Sequence, residues 1–340
     1  SLNNNGMKYV VRIQAETKGG TLSNTGCRLT VKGADEVVFY VTADTDYKMN
    51  FNPDFKDPKT YVGVDPAETT CQWINNAVMQ GYTALFQQHY SDYAALFNRV
   101  RLNLNPTVKT SEIPTPQRLK NYRNGQPDYY LEELYYQFGR YLLIASSRAG
   151  NMPANLQGIW HNDVDGPWRV DYHNNINVQM NYWPTYSTNM AECAEPLIDY
   201  IDALREPGRV TAAIYAGVSS AEGEENGFMA HTQNNPFGWT CPGWNFDWGW
   251  SPAAVPWILQ NCWEYYDFTR NADYLKEKIY PMMKEEATLY DQILIKDADG
   301  KLVSSPSYSP EHGPKTSGNT YEQTLVWQLY QDTIEAAGIV

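Results

Sequence analysis

A chain of 340 residues has room for one large domain or two ordinary ones, and 42 % hydrophobic content supports a packed core. The formal net charge of −13 argues against nucleic acid, whose phosphates demand a basic face, and against an anionic lipid surface. No run of about eighteen apolar residues is present, so no membrane span is expected.

The first fifty residues read as strands. "KYVVRIQAET", "CRLTVKG" and "DEVVFYVTADT" are β-branched runs, with "KGGTLSNTG" and "GAD" as turn punctuation between them. Three strands without an intervening helix predict a hairpin or meander from an antiparallel sheet. "NFNPDFKDPKTYVGVDP" then breaks the pattern. From Ala67 apolar residues recur at helical spacing: Ile74, Val78, Tyr82, Leu85 and Phe86, then Tyr93, Leu96 and Phe97. "LNLNPTVKTSEIPTPQ" is a second Pro-rich interruption. Helical blocks follow at about 128–149, 189–205, 252–268, 272–294 and 320–337, with Pro281 a predicted kink. Five scattered cysteines with no CxxC pair suit buried free thiols better than a disulfide framework or a zinc site. A β piece followed by many helices predicts two layers of different class.

Three segments between the helices carry candidate chemistry. In "VDYHNNINVQMNYWP" four Asn and a Gln crowd beside His173 and Asp171. Amides offer paired donors and acceptors without charge, which suits hydroxyl groups. Strand spacing puts Asn175, Asn177, Gln179 and Asn181 on one face, whereas helical spacing groups Asn174, Asn177 and Asn181. The two are reconciled by an extended "NIN" passing into a helix near Val178, with Asn175 and Asn177 roughly 6.5–7 Å apart. The bland alternative is an Asn-rich loop that caps the next helix.

The second segment, "SSPSYSPEHGPKTSGNTYEQ", holds Glu311 on a proline-stiffened loop, where a carboxyl can be kept at fixed geometry; the alternative is a solvated loop acid. The third, "HTQNNPFGWTCPGWNFDWGW", begins at His231. Nine of the eleven Trp fall between Trp160 and Trp263, and this loop alone holds Trp239, Trp244, Trp248 and Trp250. Such rings stack on the C–H faces of a sugar, or pack on one another.

With "NMPANLQGIWHND", "CWEYYDFTRNADYLKEKIYP" and "LVSSPSYSPEHGP", in this order, these segments resemble the inverting 1,2-α-L-fucosidases of glycoside hydrolase family 95, of the bacterial, bifidobacterial type. The resemblance covers nearly the whole chain. It implies a mostly α fold with a small β part. Residues 1–53 would be the last strands of an N-terminal β-sandwich domain, 54–125 a helical linker, and 126–340 the first half of an (α/α)6 barrel.

The resemblance further makes Glu311 the general acid and Asn177 the residue that activates the attacking water, with Asn175 helping to hold that water opposite the acid. His173, His231, Trp244 and Trp248 would contact the sugar. No cofactor or metal is implied. The implied partner is a fucosylated glycan and the implied location secreted or cell-surface, with the periplasm as the other setting. An inverting site needs an acid and a base about 6.5–9.5 Å apart with water between them, and a general acid must keep its proton near neutral pH, which calls for a partly dry setting. A neutral carboxamide is a poor base, and the family activates it with an aspartate well downstream of the glutamate. Asp171 and Asp247 are nearby acids, but neither matches that position. The chain ends 29 residues past Glu311, so the activating carboxylate and the rest of the barrel are expected from further polypeptide, and this piece alone is expected to be inactive. An α-L-galactosidase of the same family and a non-catalytic carbohydrate-binding protein are the competing readings.

Overall fold

A computed structural model describes residues 6–107, 110–163, 165–243 and 245–340. The chain forms two compact units, Ser1–Ala95 and Leu96–Val340. It is mostly helical with a small β part.

In the first unit β1 (Tyr9–Lys18) pairs antiparallel with β4 (Glu36–Thr45), in register from Tyr9↔Thr45 to Lys18↔Glu36. A shorter hairpin, β2 (Thr21–Thr25) with β3 (Arg28–Lys32), lies between them in sequence. The stretch read as punctuation thus holds a fourth strand, because its glycines turn the chain at either end of "TLSNT" and leave that run extended. Helix α1 (Pro66–Phe97) begins where Asp65 accepts the Ala67 amide, and it is interrupted at Gly81, whose φ is 74°. Arg12 ties β1 to its first turn, donating to Thr70 Oγ1 at 3.1 Å and to the Ala67 carbonyl at 2.9 Å.

The second unit contains α2 (Thr115–Arg123), α3 (Tyr129–Ser146), α4 (Asn177–Tyr182), α5 (Glu195–Ala203), α6 (Arg205–Ala216), α7 (Ala254–Thr269), α8 (Tyr280–Ile293) and α9 (Thr320–Ala337). Its core is built from the apolar stripes of these helices, with Ile198, Ile201, Ile258, Leu259, Met282 and Leu289 almost wholly buried. Helices α7, α8 and α9 pack on one another, and α4 lies against α7.

Two helices escape the sequence pattern. Helix α2 starts inside the second Pro-rich interruption, with Pro116 in the first turn, where a missing N–H costs nothing. Helix α6 carries "EPG" in its first turn, which reads as a break. Gly208 is instead required by contact: a Cβ there would lie 3.0 Å from the Phe228 Cβ, and Met229 donates its amide to the Gly208 carbonyl at 3.0 Å. Pro281, expected to kink a helix, falls in the first turn of α8, where its missing N–H costs nothing, directly after a π-helical stretch, Leu275–Ile279. Cys193 and Cys262 are buried free thiols, whereas Cys27 and Cys71 are exposed. Among the described residues no helix is long and apolar enough to cross a membrane.

Candidate active site

Helix α4 and the turn before it position the amides. Tyr182, fully buried, accepts the Ala154 amide at 2.8 Å and shares a 2.7 Å hydrogen bond with Ser147, which fixes one end of α4. Asn261 of α7 donates to the Gln179 carbonyl at 3.2 Å. At the other end β5 (Tyr172–His173) pairs with β6 (Gln233–Asn234), placing His173 opposite Gln233.

The amide cluster divides into two sets. Asn174, Gln179 and Asn181 brace the surrounding chain: Asn174 donates to the Asn234 side-chain Oδ1, Gln179 to the Asn174 carbonyl at 2.7 Å, and Asn181 to the Asn155 carbonyl at 2.8 Å. Asn175 and Asn177 do not. Asn177 is the first residue of α4, the helix has no side-chain cap, and the Asn177 amide takes no hydrogen bond among the described residues. The capping alternative therefore does not describe Asn177.

Asn175 Nδ2 donates to Glu311 Oε1 at 3.3 Å. Glu311 lies in a left-handed backbone conformation, φ 67°, at the tip of its loop. That conformation costs roughly 1–2 kcal/mol for a residue with a Cβ, and such outliers cluster at functional sites. Its carboxyl is exposed, so the partly dry setting an acid requires is not built by this chain around Glu311. The contact also puts Asn175 against the acid, closer than the separation an inverting pair needs.

His173, Asn177, Gln233, Trp248 and Glu311 line one cavity of about 680 Å³. Trp168 and Arg169 line it as well, from a run of three left-handed residues, Trp168 to Val170. His173 Nδ1 lies 2.8 Å from Asp171 Oδ1, although the two are not aligned as a hydrogen bond.

The Trp-rich loop divides between the cavity and its own packing. Trp248 is 56 % exposed and faces the cavity. Trp250 stacks on Phe246 at 5.5 Å and lies tilted against His231 at 4.8 Å, and Phe246 meets Tyr308 edge-on at 5.4 Å. This aromatic column joins the Trp-rich loop to the loop that carries Glu311. Gly249 permits the tight turn, since a Cβ there would collide with the Pro242 carbonyl. His231 stands at the foot of the column and not on the cavity wall. It is 0 % exposed, accepts the Ser251 amide on Nδ1 at 3.1 Å, and burial pushes its pKa down to about 3. A neutral imidazole wedged behind Trp250 supports the site from within, and Gln233, two residues on, is the wall residue on that side. Trp244 lies outside the described residues. Asp247 is exposed at the start of a short helix, Phe246–Gly249, where Asn245 caps its amide at 2.7 Å.

Arg169, Trp168 and Gln233 are cavity residues that the sequence alone does not single out. Gln233 sat inside the quoted His231 segment, but only the β5–β6 register brings it opposite His173. Nothing in "GPWRV" announces three consecutive left-handed residues.

Residues 81–340 match the glycosyl hydrolase family 95 catalytic domain. The chain is 35 % identical over 343 residues to "Probable alpha-fucosidase A" of Aspergillus niger, covering 97 % of this chain and 42 % of that protein. It is 35 % identical over 346 residues to "Alpha-L-fucosidase 2" of Arabidopsis thaliana, covering 97 % and 39 %. The chain thus spans about two-fifths of the length of these relatives. Among solved structures, "Putative kojibiose phosphorylase from human microbiome" has a TM-score of 0.64 at 10 % identity, over 99 % of this chain and 40 % of that one. At that identity the likeness concerns the fold alone.

Proposed function

The chain belongs to glycosyl hydrolase family 95, and from that premise we propose that it carries the acid side of an inverting α-L-fucosidase site that releases L-fucose from fucosyl-α1,2-galactosides. The observation that supports this reading most directly is the joining of two segments 136 residues apart, Asn175 to Glu311, on a cavity shared with Asn177, His173 and Trp248.

In the proposed mechanism Glu311 protonates the glycosidic oxygen as the C1–O bond breaks. Asn177, whose amide is otherwise unengaged, orients the water that attacks C1 from the opposite face. The proton that water loses passes to a carboxylate hydrogen-bonded to that amide, supplied by polypeptide beyond this segment. Asn175 holds the Glu311 carboxyl group until the sugar enters, then turns to the water. The bound sugar, stacked on Trp248 and covering Glu311, supplies the dryness that the acid lacks here. The β1–β4 strands belong, in this reading, to a β-sandwich domain, and 126–340 to the first half of an (α/α)6 barrel.

Inversion is tested by the first product. Proton NMR within minutes of mixing the full-length protein with a fucosyl-α1,2-galactoside is expected to show β-L-fucose before mutarotation. An initial α-anomer means a covalent intermediate and discards the water-activating role of Asn177. The same measurement on the matching L-galactoside separates the two sugars, which differ by one hydroxyl on C6.

A further inference from the structure

The loop that carries Glu311 is closed at its base by a two-way backbone bridge. Ser307 donates its amide to the Thr316 carbonyl at 2.7 Å, and Thr316 returns the bond at 2.8 Å. Eight residues, 308–315, are enclosed, with Glu311 near the middle.

Below the bridge, α9 begins with "NTYE". Asn319 is its N-cap and accepts the Glu322 amide at 2.9 Å. A glutamate three residues after the cap ordinarily reaches back to the N–H of the capping residue and closes a reciprocal box. Here it does not. The Asn319 N–H donates instead to Ser307 Oγ at 3.2 Å, and Ser307 Oγ donates to Glu322 Oε2 at 2.6 Å. Ser304 Oγ supplies the second hydrogen bond that Ser307 Oγ accepts, at 3.1 Å. The Ser307 hydroxyl is therefore inserted into the box with its one proton and both lone pairs used.

The carboxyl at the end of this chain of bonds is 1 % exposed. A buried carboxyl costs free energy that an ordinary surface cap avoids. Ser304 and Ser307 are buried too. Two side chains of the first turn of α9 thus hold the loop base: Gln323 Oε1 accepts the Ser304 amide at 2.8 Å, and Glu322 takes the Ser307 hydroxyl, so that a shift of Glu322 moves Ser307 and the bridge above it.

We propose that Glu322 is the positioning residue of the acid loop, setting the place of Glu311 through Ser307 and the Ser307–Thr316 bridge. This rests on the reading of Glu311 as the general acid. It sets Glu322 apart from a helix cap, because the cap hydrogen bonds of α9 survive without it: Asn319 Oδ1 still receives the Glu322 amide. A displaced acid harms only substrates whose leaving group needs a proton. A shift of about 1 Å in a catalytic group costs on the order of 10²-fold in rate.

The experiment compares Ser307→Ala, Glu322→Ala and Glu322→Gln with wild type in the full-length protein. Two substrates are used, a fucosyl-α1,2-galactose disaccharide and α-L-fucosyl fluoride, whose leaving group needs little protonation. Ser307→Ala and Glu322→Ala are expected to lower kcat on the disaccharide on the order of 10²-fold, with KM little changed and fluoride turnover largely kept. Glu322→Gln keeps an oxygen for the Ser307 hydroxyl and is expected to restore most of the loss. Should Glu322→Ala fail to fold, Ser307→Ala decides, since it removes the link and leaves the carboxyl in place. Wild-type disaccharide kcat in folded Ser307→Ala overturns the proposal, and so does an equal loss on both substrates. Glu311→Gln is run alongside. If it keeps disaccharide turnover, the acid assignment itself falls; if it is inactive while Ser307→Ala is normal, only the clamp falls.

Discussion

Asn175 and Glu311 meet at 3.3 Å, amide nitrogen to carboxylate oxygen, across 136 residues of sequence. The other polar end of Asn175, its Oδ1, is buried and takes no hydrogen bond among the described residues. An amide with one end on an acid and the other end free can exchange partners at low cost when a sugar arrives. The acid it touches is held on a strained loop tip and is exposed to water.

Glu311→Gln keeps the size and the Asn175 contact but removes the proton that the leaving oxygen needs. Turnover of fucosyl-α1,2-galactosides by the full-length protein is expected to fall by about 10²–10⁴-fold, the usual contribution of general acid catalysis, with binding retained. A substrate with an activated leaving group is expected to lose much less. Near-wild-type kcat on the disaccharide, measured by released fucose, removes Glu311 from this role.

Asn177→Asp asks whether the unengaged amide works on water. It preserves shape and adds a charge to a cavity that already holds Glu311 and, in the proposed mechanism, a further carboxylate. Like charges at close range disfavour double ionisation, so the groups titrate together. A large loss of activity with a displaced pH profile is expected, with the melting temperature nearly unchanged because α4 carries no side-chain cap to lose. Full activity with an unaltered pH profile removes Asn177 from catalysis.

The long helices were legible because their apolar residues repeat at 3.6, and α9 appears over the same residues as its periodicity predicts. Helix α6 was not, because Glu206-Pro207-Gly208 obeys a contact with Phe228 that no local pattern encodes. At the site, the composition of the amide cluster signalled chemistry, but its division into bracing and free amides did not show. Asn174 and Asn175 are neighbours in sequence, yet one is spent on Asn234 and the other on Glu311. His231 illustrates the same limit: its place behind Trp250 depends on stacking between segments, which spacing cannot supply.

Glu285 is buried between two guanidinium groups of α6. Arg205 Nε donates to its Oε2 and Arg209 Nε to its Oε1, both at 2.6 Å. Removing one partner of such an arrangement leaves uncompensated charge, which typically costs about 3–5 kcal/mol. Glu285→Ala is expected to destabilise by less than that, about 1.5–3 kcal/mol in denaturant unfolding, because Arg205 keeps Asp202 and Glu225 and Arg209 keeps Glu206. A change under ~1 kcal/mol would mean that desolvation of the carboxylate cancels its pairing.

Stability is expected to fall as pH rises from about 4.5 to 7. Burial raises Glu322 to about 7 and Asp332 to about 6, and it holds Glu286 far above the carboxylate range. A carboxyl with a raised folded-state pKa contributes its full stability below the unfolded value and loses it as pH climbs through the folded one. For Glu322 alone the loss is of the order of 3 kcal/mol, at ~1.4 kcal/mol per pKa unit. Asp128 works the other way: hydrogen bonds from Arg118 hold it well below its usual range, so its contribution is lost as pH drops below about 4. Denaturant unfolding across pH 3–8 should show a maximum on the mildly acid side, and Glu322→Gln should flatten the limb above it. A maximum at pH 8, unmoved by that substitution, would count against the buried acids as its cause.

Arg169 separates stability from function. It lines the cavity with φ at 62°, flanked by Trp168 at 51° and Val170 at 57°. Among the described residues its side chain makes no ion pair or hydrogen bond that would offset this. Arg169→Gly removes the steric penalty, and the gain is expected to be about 1 kcal/mol, less what glycine loses in backbone entropy. In a chain of 340 residues that net gain corresponds to a rise in melting temperature of about 1 °C or less. If the strained arginine is kept for a contact with the substrate, the more stable variant should show a raised KM for the disaccharide with kcat less affected. A Gly variant that is more stable and kinetically unchanged would mean that Arg169 has no part in binding.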